Sequence, residues 1–226
     1  MERTKGKDIW NKMDRGTKAL IIIIAALLVV IVGGLIVLKE SKIVQQEEER
    51  ERPIVEVEKP EISEQFLTVN PYSRPKTPLK EVNNIVVHYT ANPGTTAKNN
   101  RDYFEGLATS GATYASSHFI IGLDGEIIQC VPLDEVSYCS NNRNDDTVAI
   151  EVCHPDESGE FTDESYESLV KLTSWLCYKF QLQEKEIIRH YDITEKICPK
   201  YFVDHPESFE KFKKEVGEKI HAPYDE

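Results

Sequence analysis

The sequence predicts an α/β domain with a mixed central β-sheet flanked by helices, preceded by a single membrane-spanning helix and a charged stalk. Three observations carry that reading. Short β-branched runs alternate along the chain with segments whose apolar residues recur at helical spacing, the pattern of strands and helices layered on one sheet. An unbroken run of apolar residues and Gly fills positions 19–38. Between the two lies a charged stretch with Pro53 and Pro60 and no apolar period.

Taken as a helix rising about 1.5 Å per residue, positions 19–38 span about 30 Å, the hydrocarbon thickness of a bilayer. Lys18 and Lys39 bracket the run, and residues 1–18 carry six Lys or Arg, whereas residues 45–52 read Gln-Gln-Glu-Glu-Glu-Arg-Glu-Arg. The positive-inside bias therefore keeps residues 1–18 as a cytoplasmic tail and sends the rest outside the membrane. The run exceeds a secretory core, and Val-Leu-Lys-Glu-Ser-Lys offers no Ala-x-Ala-like exit, which favours an uncleaved anchor. Residues 39–67 cannot bury enough surface to offset their ordering entropy and are expected to form a stalk, extended near its prolines.

Residues 68–226 suit one domain with one core. Positions 84–90 read as a buried strand. Positions 118–123 and 126–131 flank Asp124-Gly125, a pair suited to the positive φ of a tight hairpin. Positions 147–153 form another β-branched run and 186–189 a short one. A helix over 98–107 sets Tyr103, Phe104 and Leu107 on one face, and Thr162 caps a second whose Tyr166, Leu169, Val170 and Leu176 recur at helical spacing. Pro206 starts a third, with Phe209, Phe212, Val216 and Ile220 as its core stripe.

Charge narrows the partners. Residues 39–226 hold 21 Lys or Arg against 36 Asp or Glu, a net charge of −15. Such a surface repels nucleic acid and keeps an exported domain soluble.

Chemistry concentrates on three soft-metal ligands, His88 in Asn-Ile-Val-Val-His-Tyr-Thr, then His190 and Cys198 in Arg-His-Tyr-Asp-Ile-Thr-Glu-Lys-Ile-Cys-Pro. Their spacing is not that of a tight structural zinc site. Three side-chain ligands leave a fourth position of a tetrahedral Zn2+ open for water, which points to hydrolytic catalysis.

From about residue 71 to 220 the chain resembles the zinc-dependent N-acetylmuramoyl-L-alanine amidases shared by phage endolysins, bacterial autolysins and peptidoglycan-recognition proteins. Four ordered blocks carry the resemblance: Ile-Val-Val-His-Tyr-Thr-Ala (85–91), Ser-His-Phe-Ile-Ile-Gly-Leu-Asp-Gly (117–125), Thr-Val-Ala-Ile-Glu-Val (147–152) and Arg-His-Tyr-Asp-Ile-Thr-Glu-Lys-Ile-Cys-Pro (189–199). It implies the same α/β fold and a peptidoglycan substrate. It also implies zinc held by His88, His190 and Cys198, Glu151 as general base, and Lys196 as stabiliser of the charge developing on the attacked carbonyl. Relatives that only bind peptidoglycan commonly lack the thiolate that Cys198 supplies. His118 resembles a framework residue of the family.

Two departures stand out. Several phage members carry a catalytic tyrosine where this chain has Ser117, and Tyr114 is out of register with it. Relatives often have a cleft histidine where this chain has Cys139. Cys130, Cys139, Cys153 and Cys177 admit three pairings, of which Cys139 with Cys153 would lie nearest the cleft, since Cys153 shares a strand face with Glu151. The reading that follows is a membrane-anchored peptidoglycan hydrolase of the bacterial cell surface. A non-catalytic peptidoglycan-binding module or a membrane-to-wall tether is the alternative.

Overall fold

The computed structural model describes residues 13–50 and 53–222, so most of the expected cytoplasmic tail, residues 1–12, lies outside the described residues. Helix α1 (Arg15–Arg50) contains the apolar run. Its stretch Arg15–Lys39 is long and apolar enough to cross a membrane. The helix continues past the expected anchor into the segment read as a stalk. The reason is local: Lys, Glu and Gln are good helix formers, and no Pro or Gly occurs from Leu35 to Arg52.

The second compact unit begins at Pro53. Its strands are β1 (Ser63–Glu64), β2 (Asn84–Tyr89), β3 (Phe119–Ile121), β4 (Ile127–Gln129), β5 (Thr147–Val152) and β6 (Ile187–Arg189), joined in the order β1-β4-β3-β5-β2-β6. Only β3 with β4 is antiparallel; the other neighbours run parallel, so the sheet is mixed as expected. The hairpin between β3 and β4 turns at Gly125, φ +81°, where an added Cβ would sit 2.8 Å from the Glu164 carbonyl oxygen. Only glycine fits that approach.

Alternation along the strands separates two cores. Ile85, Val87, Ile150 and Val152 pack against α3 (Asp163–Phe180) and α6 (Pro206–Ile220), through Leu169, Leu172, Leu176, Phe212 and Val216. Ile120, Ile128, Cys130 and Cys153 pack beneath α2 (Ala97–Ser110) through Phe104 and Leu107. Tyr103, expected on the same buried face, is instead 55% exposed. The Thr162 cap forms as expected, accepting from the Ser165 N–H at 3.1 Å, and the structure adds a second threonine cap, Thr96, which accepts from the Asn99 N–H at 3.1 Å.

Where the sequence suggested that the domain begins at residue 68, the fold begins fifteen residues earlier. Residues 53–67 form a strap. The Val55 N–H donates to the Ile220 carbonyl at 2.8 Å, and further along Gln65 and Leu67 donate to the carbonyls of Gln129 and Cys130 at 3.0 and 2.9 Å. Arg101 donates to the Gln65 and Phe66 carbonyls, and Arg74 to that of Leu67. Leu67 is fully buried, and Ile54, Val57 and Ile62 pack on the main core.

His118 takes the framework role. It is fully buried; its Nδ1 accepts from the Ala149 N–H at 3.1 Å and faces the Ser137 hydroxyl at 3.0 Å, while Nε2 donates to the Glu135 carbonyl at 2.9 Å. Glu135 in turn pairs with Arg74 at 2.7 Å.

Two outcomes follow for stability. Cutting the chain at residue 68 removes Leu67 and the strap's contacts; burying one such side chain is worth about 1.5–3 kcal/mol, so residues 68–226 should unfold at least about 2 kcal/mol more easily than residues 53–226 in urea. Equal stability would show that the strap is decorative. Burial pushes His118 down to about 4, against about 6.5 in an unfolded chain. Only the unfolded state then binds a proton there between those values, so its contribution is complete above about pH 6.5 and is lost as pH falls toward 4. Unfolding free energy plotted against pH should lose slope over that window, by up to about 1.4 kcal/mol per pH unit, in His118→Gln.

Candidate metal centre and cleft

His88 lies one residue before the end of β2, on the sheet face opposite Val87, and is paired in register with Glu151 on β5. Parallel strands buried on both faces favour apolar residues throughout, so a His and a Glu facing each other at their ends mark the place where the sheet opens. β6 then delivers the next candidate ligand. The His190 N–H donates to the Val87 carbonyl at 3.3 Å, setting its ring 4.6 Å, centroid to centroid, from that of His88. The chain makes the short helix α4 (Tyr191–Thr194) and returns, with the Tyr191 N–H donating to the Cys198 carbonyl at 2.9 Å. Arg189 staples the base of this loop, donating to Asp192 at 2.7 Å and to the Phe202 carbonyl at 2.9 Å on α5 (Lys200–Asp204).

All three residues are buried, and their ligand atoms lie within 4.8 Å of one another. Cys198 Sγ stands 3.7 Å from His88 Nδ1. Tetrahedral zinc with its usual bond lengths, about 2.3 Å to sulfur and 2.0–2.1 Å to nitrogen, sets that edge at about 3.6 Å. His190 Nδ1 is buried without a protein partner, and His88 Nδ1 faces only the Cys198 sulfur. Unpaired buried nitrogens are costly, so the donor set fits a soft cation.

Electrostatics agree with the fit. Burial, then the neighbouring His190 and Lys196, hold His88 well below its ordinary value, and burial lowers His190 as well. Both rings are neutral at pH 7, the form that ligates. The Cys198 thiol is pushed up to about 12 by burial and by the Glu151 charge. A bound cation deprotonates such a thiol outright.

The triad opens into a cleft of about 380 Å³. Glu151 and Lys196 both line it, as do Tyr114, Tyr138, Cys139 and Asn141. Burial raises Glu151 to about 7, partly offset by a hydrogen bond from Cys139 and by the Lys196 charge. Its Oε1 accepts from the Cys139 thiol at 3.5 Å, while Oε2 is buried without a partner. Lys196 is exposed on the loop between His190 and Cys198, and its charge acts on both of them and on Glu151.

The structure thus brings all five expected residues to one cleft and separates out others. Ser117 is buried and turned away, donating to the Phe119 carbonyl at 2.6 Å, so it cannot stand in for a cleft tyrosine. Tyr114 reaches the cleft from a different position, 62% exposed and stacked edge-on to Tyr138. All five cysteines are free thiols: Cys153 is buried beneath α2, facing Asn100, and Cys139 faces Glu151, so the suggested bridge between them is not formed. Sequence reasoning left Cys139 without a role and passed over Asn141, whose Oδ1 lies 2.7 Å from His190 Nε2.

A family model described as N-acetylmuramoyl-L-alanine amidase matches residues 78–201. The N-acetylmuramoyl-L-alanine amidase CwlL of Bacillus licheniformis is 33% identical over 168 residues, covering 69% of this chain and 46% of that protein. For the amidase BlyA of Bacillus subtilis the identity is 34% over 176 residues, with the same coverages. The chain therefore spans a little under half the length of these relatives. Among solved structures, the catalytic domain of XlyA superposes with a TM-score of 0.59 at 24% identity, covering 70% of this chain and 99% of that one. A mutant endolysin from Bacillus subtilis gives 0.58 at 25% identity, covering 69% and 98%. These likenesses extend the fold match across nearly the whole of each solved domain.

Proposed function

Since the chain belongs to the N-acetylmuramoyl-L-alanine amidase family, we propose that it hydrolyses the amide bond between N-acetylmuramic acid and the L-alanine that begins the peptidoglycan stem peptide. The observation that carries the reading is the convergence of His88, His190 and Cys198 beside Glu151 and Lys196 in one cleft. His88, His190 and Cys198 would hold zinc. When bound, zinc supplies Lewis acidity and makes water nucleophilic near neutral pH.

The remaining work falls to side chains. Glu151 Oε2, buried and unpartnered, takes the proton released as water adds to the amide carbonyl, and its raised affinity for protons suits a base that must then return one to the leaving amine. The Cys139 thiol occupies Oε1, which leaves Oε2 as the working oxygen. Lys196 stands at the cleft's edge, where its ammonium group opposes the negative charge that grows on the carbonyl oxygen. His88, held neutral by burial, does not compete for the proton.

Helix α1 supports a single-pass anchor in a bacterial cell membrane, with the hydrolase on the outer side. Anchored protein would resist alkaline carbonate extraction and expose the unit from Pro53 to protease added outside; release by carbonate would exclude a spanning helix.

The activity is tested with residues 53–226, peptidoglycan and an assay for new N-terminal alanine. Wild type should release stem peptides. Glu151→Ala should lose about 10²–10⁴-fold and Lys196→Ala about 10²–10³-fold in kcat, and Cys198→Ser should lose both bound zinc and turnover. Zinc bound without turnover on several wall types would favour a binding module instead.

A further inference from the structure

An imidazole carries its proton on either ring nitrogen until a neighbour decides, and a metal ligand needs the correct one bare. His190 has Nδ1 buried and unpartnered, with Nε2 turned toward the loop that follows Tyr138. The acceptor waiting there is Asn141 Oδ1, at 2.7 Å.

We infer that Asn141 is a positioning residue for the metal centre: by accepting the His190 Nε2 proton, it fixes the tautomer that leaves Nδ1 free to ligate. The inference rests on the zinc reading above and adds to it a residue from outside the ligand set.

Two independent features of position 141 call for this residue type. Its backbone lies at φ +54°, in the left-handed region. Glycine enters that region freely, and Asn and Asp are the side chains most at home there. Glycine has no acceptor; most other residues would be strained. Only Asn and Asp combine the backbone with a short side-chain oxygen.

The surrounding loop is built to hold that oxygen still. Asn144 Oδ1 accepts from the Cys139 and Ser140 N–H groups at 3.1 and 2.7 Å. Arg143 donates to Asp146 at 2.8 Å and to Asn84 Oδ1 at 2.6 Å, tying the loop to the first residue of β2. The Thr147 hydroxyl closes it by donating to the Arg143 carbonyl at 2.7 Å. The same strand that carries His88 therefore braces the partner of His190.

The test uses the full chain in detergent micelles with 15N-labelled histidine, His190 being assigned by difference from His190→Gln. Zinc-free wild type should show the Nε2–H tautomer at His190. Asn141→Gly keeps the backbone angle and removes the acceptor; its His190 signal should average over both tautomers, and zinc affinity measured by chelator competition should fall about 10–100-fold, with the thermal midpoint little changed. Asn141→Asp should restore both the tautomer and the affinity. An Nδ1–H tautomer in wild type, or an Asn141→Gly variant with unchanged tautomer and affinity, would overturn the inference. Failure of wild type to bind zinc would remove the zinc reading, while the zinc-free tautomer comparison would still decide the role of Asn141.

Discussion

A carboxylate and an imidazole facing each other across two buried parallel strands are the constraint around which the domain is arranged. β2 and β5 pair in register over six residues, with His88 opposite Glu151 near their ends. Between their first residues and that pair both strands are apolar and buried, Ile85, Val86 and Val87 beside Val148, Ala149 and Ile150, which fixes the register, because a slip of one residue would carry the whole apolar set to the wrong face. The expense of burying two polar groups is confined to the place where the sheet opens into the cleft. β6, on the other side of β2, adds His190 through a single backbone hydrogen bond to Val87.

The cleft combines groups that pull proton affinities in opposite directions. Burial keeps His88 and His190 neutral, makes the Cys198 thiol hold its proton and raises Glu151 to about 7. Without a cation, the cleft's buried groups favour neutrality. A divalent ion reverses that logic locally. Cys139 fits this economy: an uncharged thiol beside Glu151 donates a hydrogen bond without adding a competing positive charge, which a protonated histidine at that position would bring.

Much of this was legible in the sequence because its signals are local. The β-branched runs around His88 and Glu151, the Asp124-Gly125 turn and the Thr162 cap each depend on neighbours a few residues away, and each formed. The candidate ligands stood out for a different reason: metal-binding side chains are restricted in type, and His88, His190 and Cys198 lie in the blocks that carry the family resemblance. What stayed hidden is non-local. Ile54, Val57, Ile62 and Leu67 follow no period, because a strap docks its apolar residues one at a time on a surface that the rest of the chain builds. Asn141 reaches its partner across 49 residues of sequence and leaves no mark of its own beyond being an asparagine in a loop. Cys153 shared a face with Glu151, yet α2 covers it, which the strand pattern alone could not show.

The central claim is that the cleft holds one metal ion on two imidazoles and one thiolate, with Cys139 reserved for Glu151. X-ray absorption at the zinc edge of the loaded protein tests it most directly. The account predicts a single sulfur at about 2.3 Å and lighter ligands, two of them imidazole, at about 2.0–2.1 Å. Two sulfurs in the shell would contradict it, since Cys139 would then be closing the position that hydrolysis needs open.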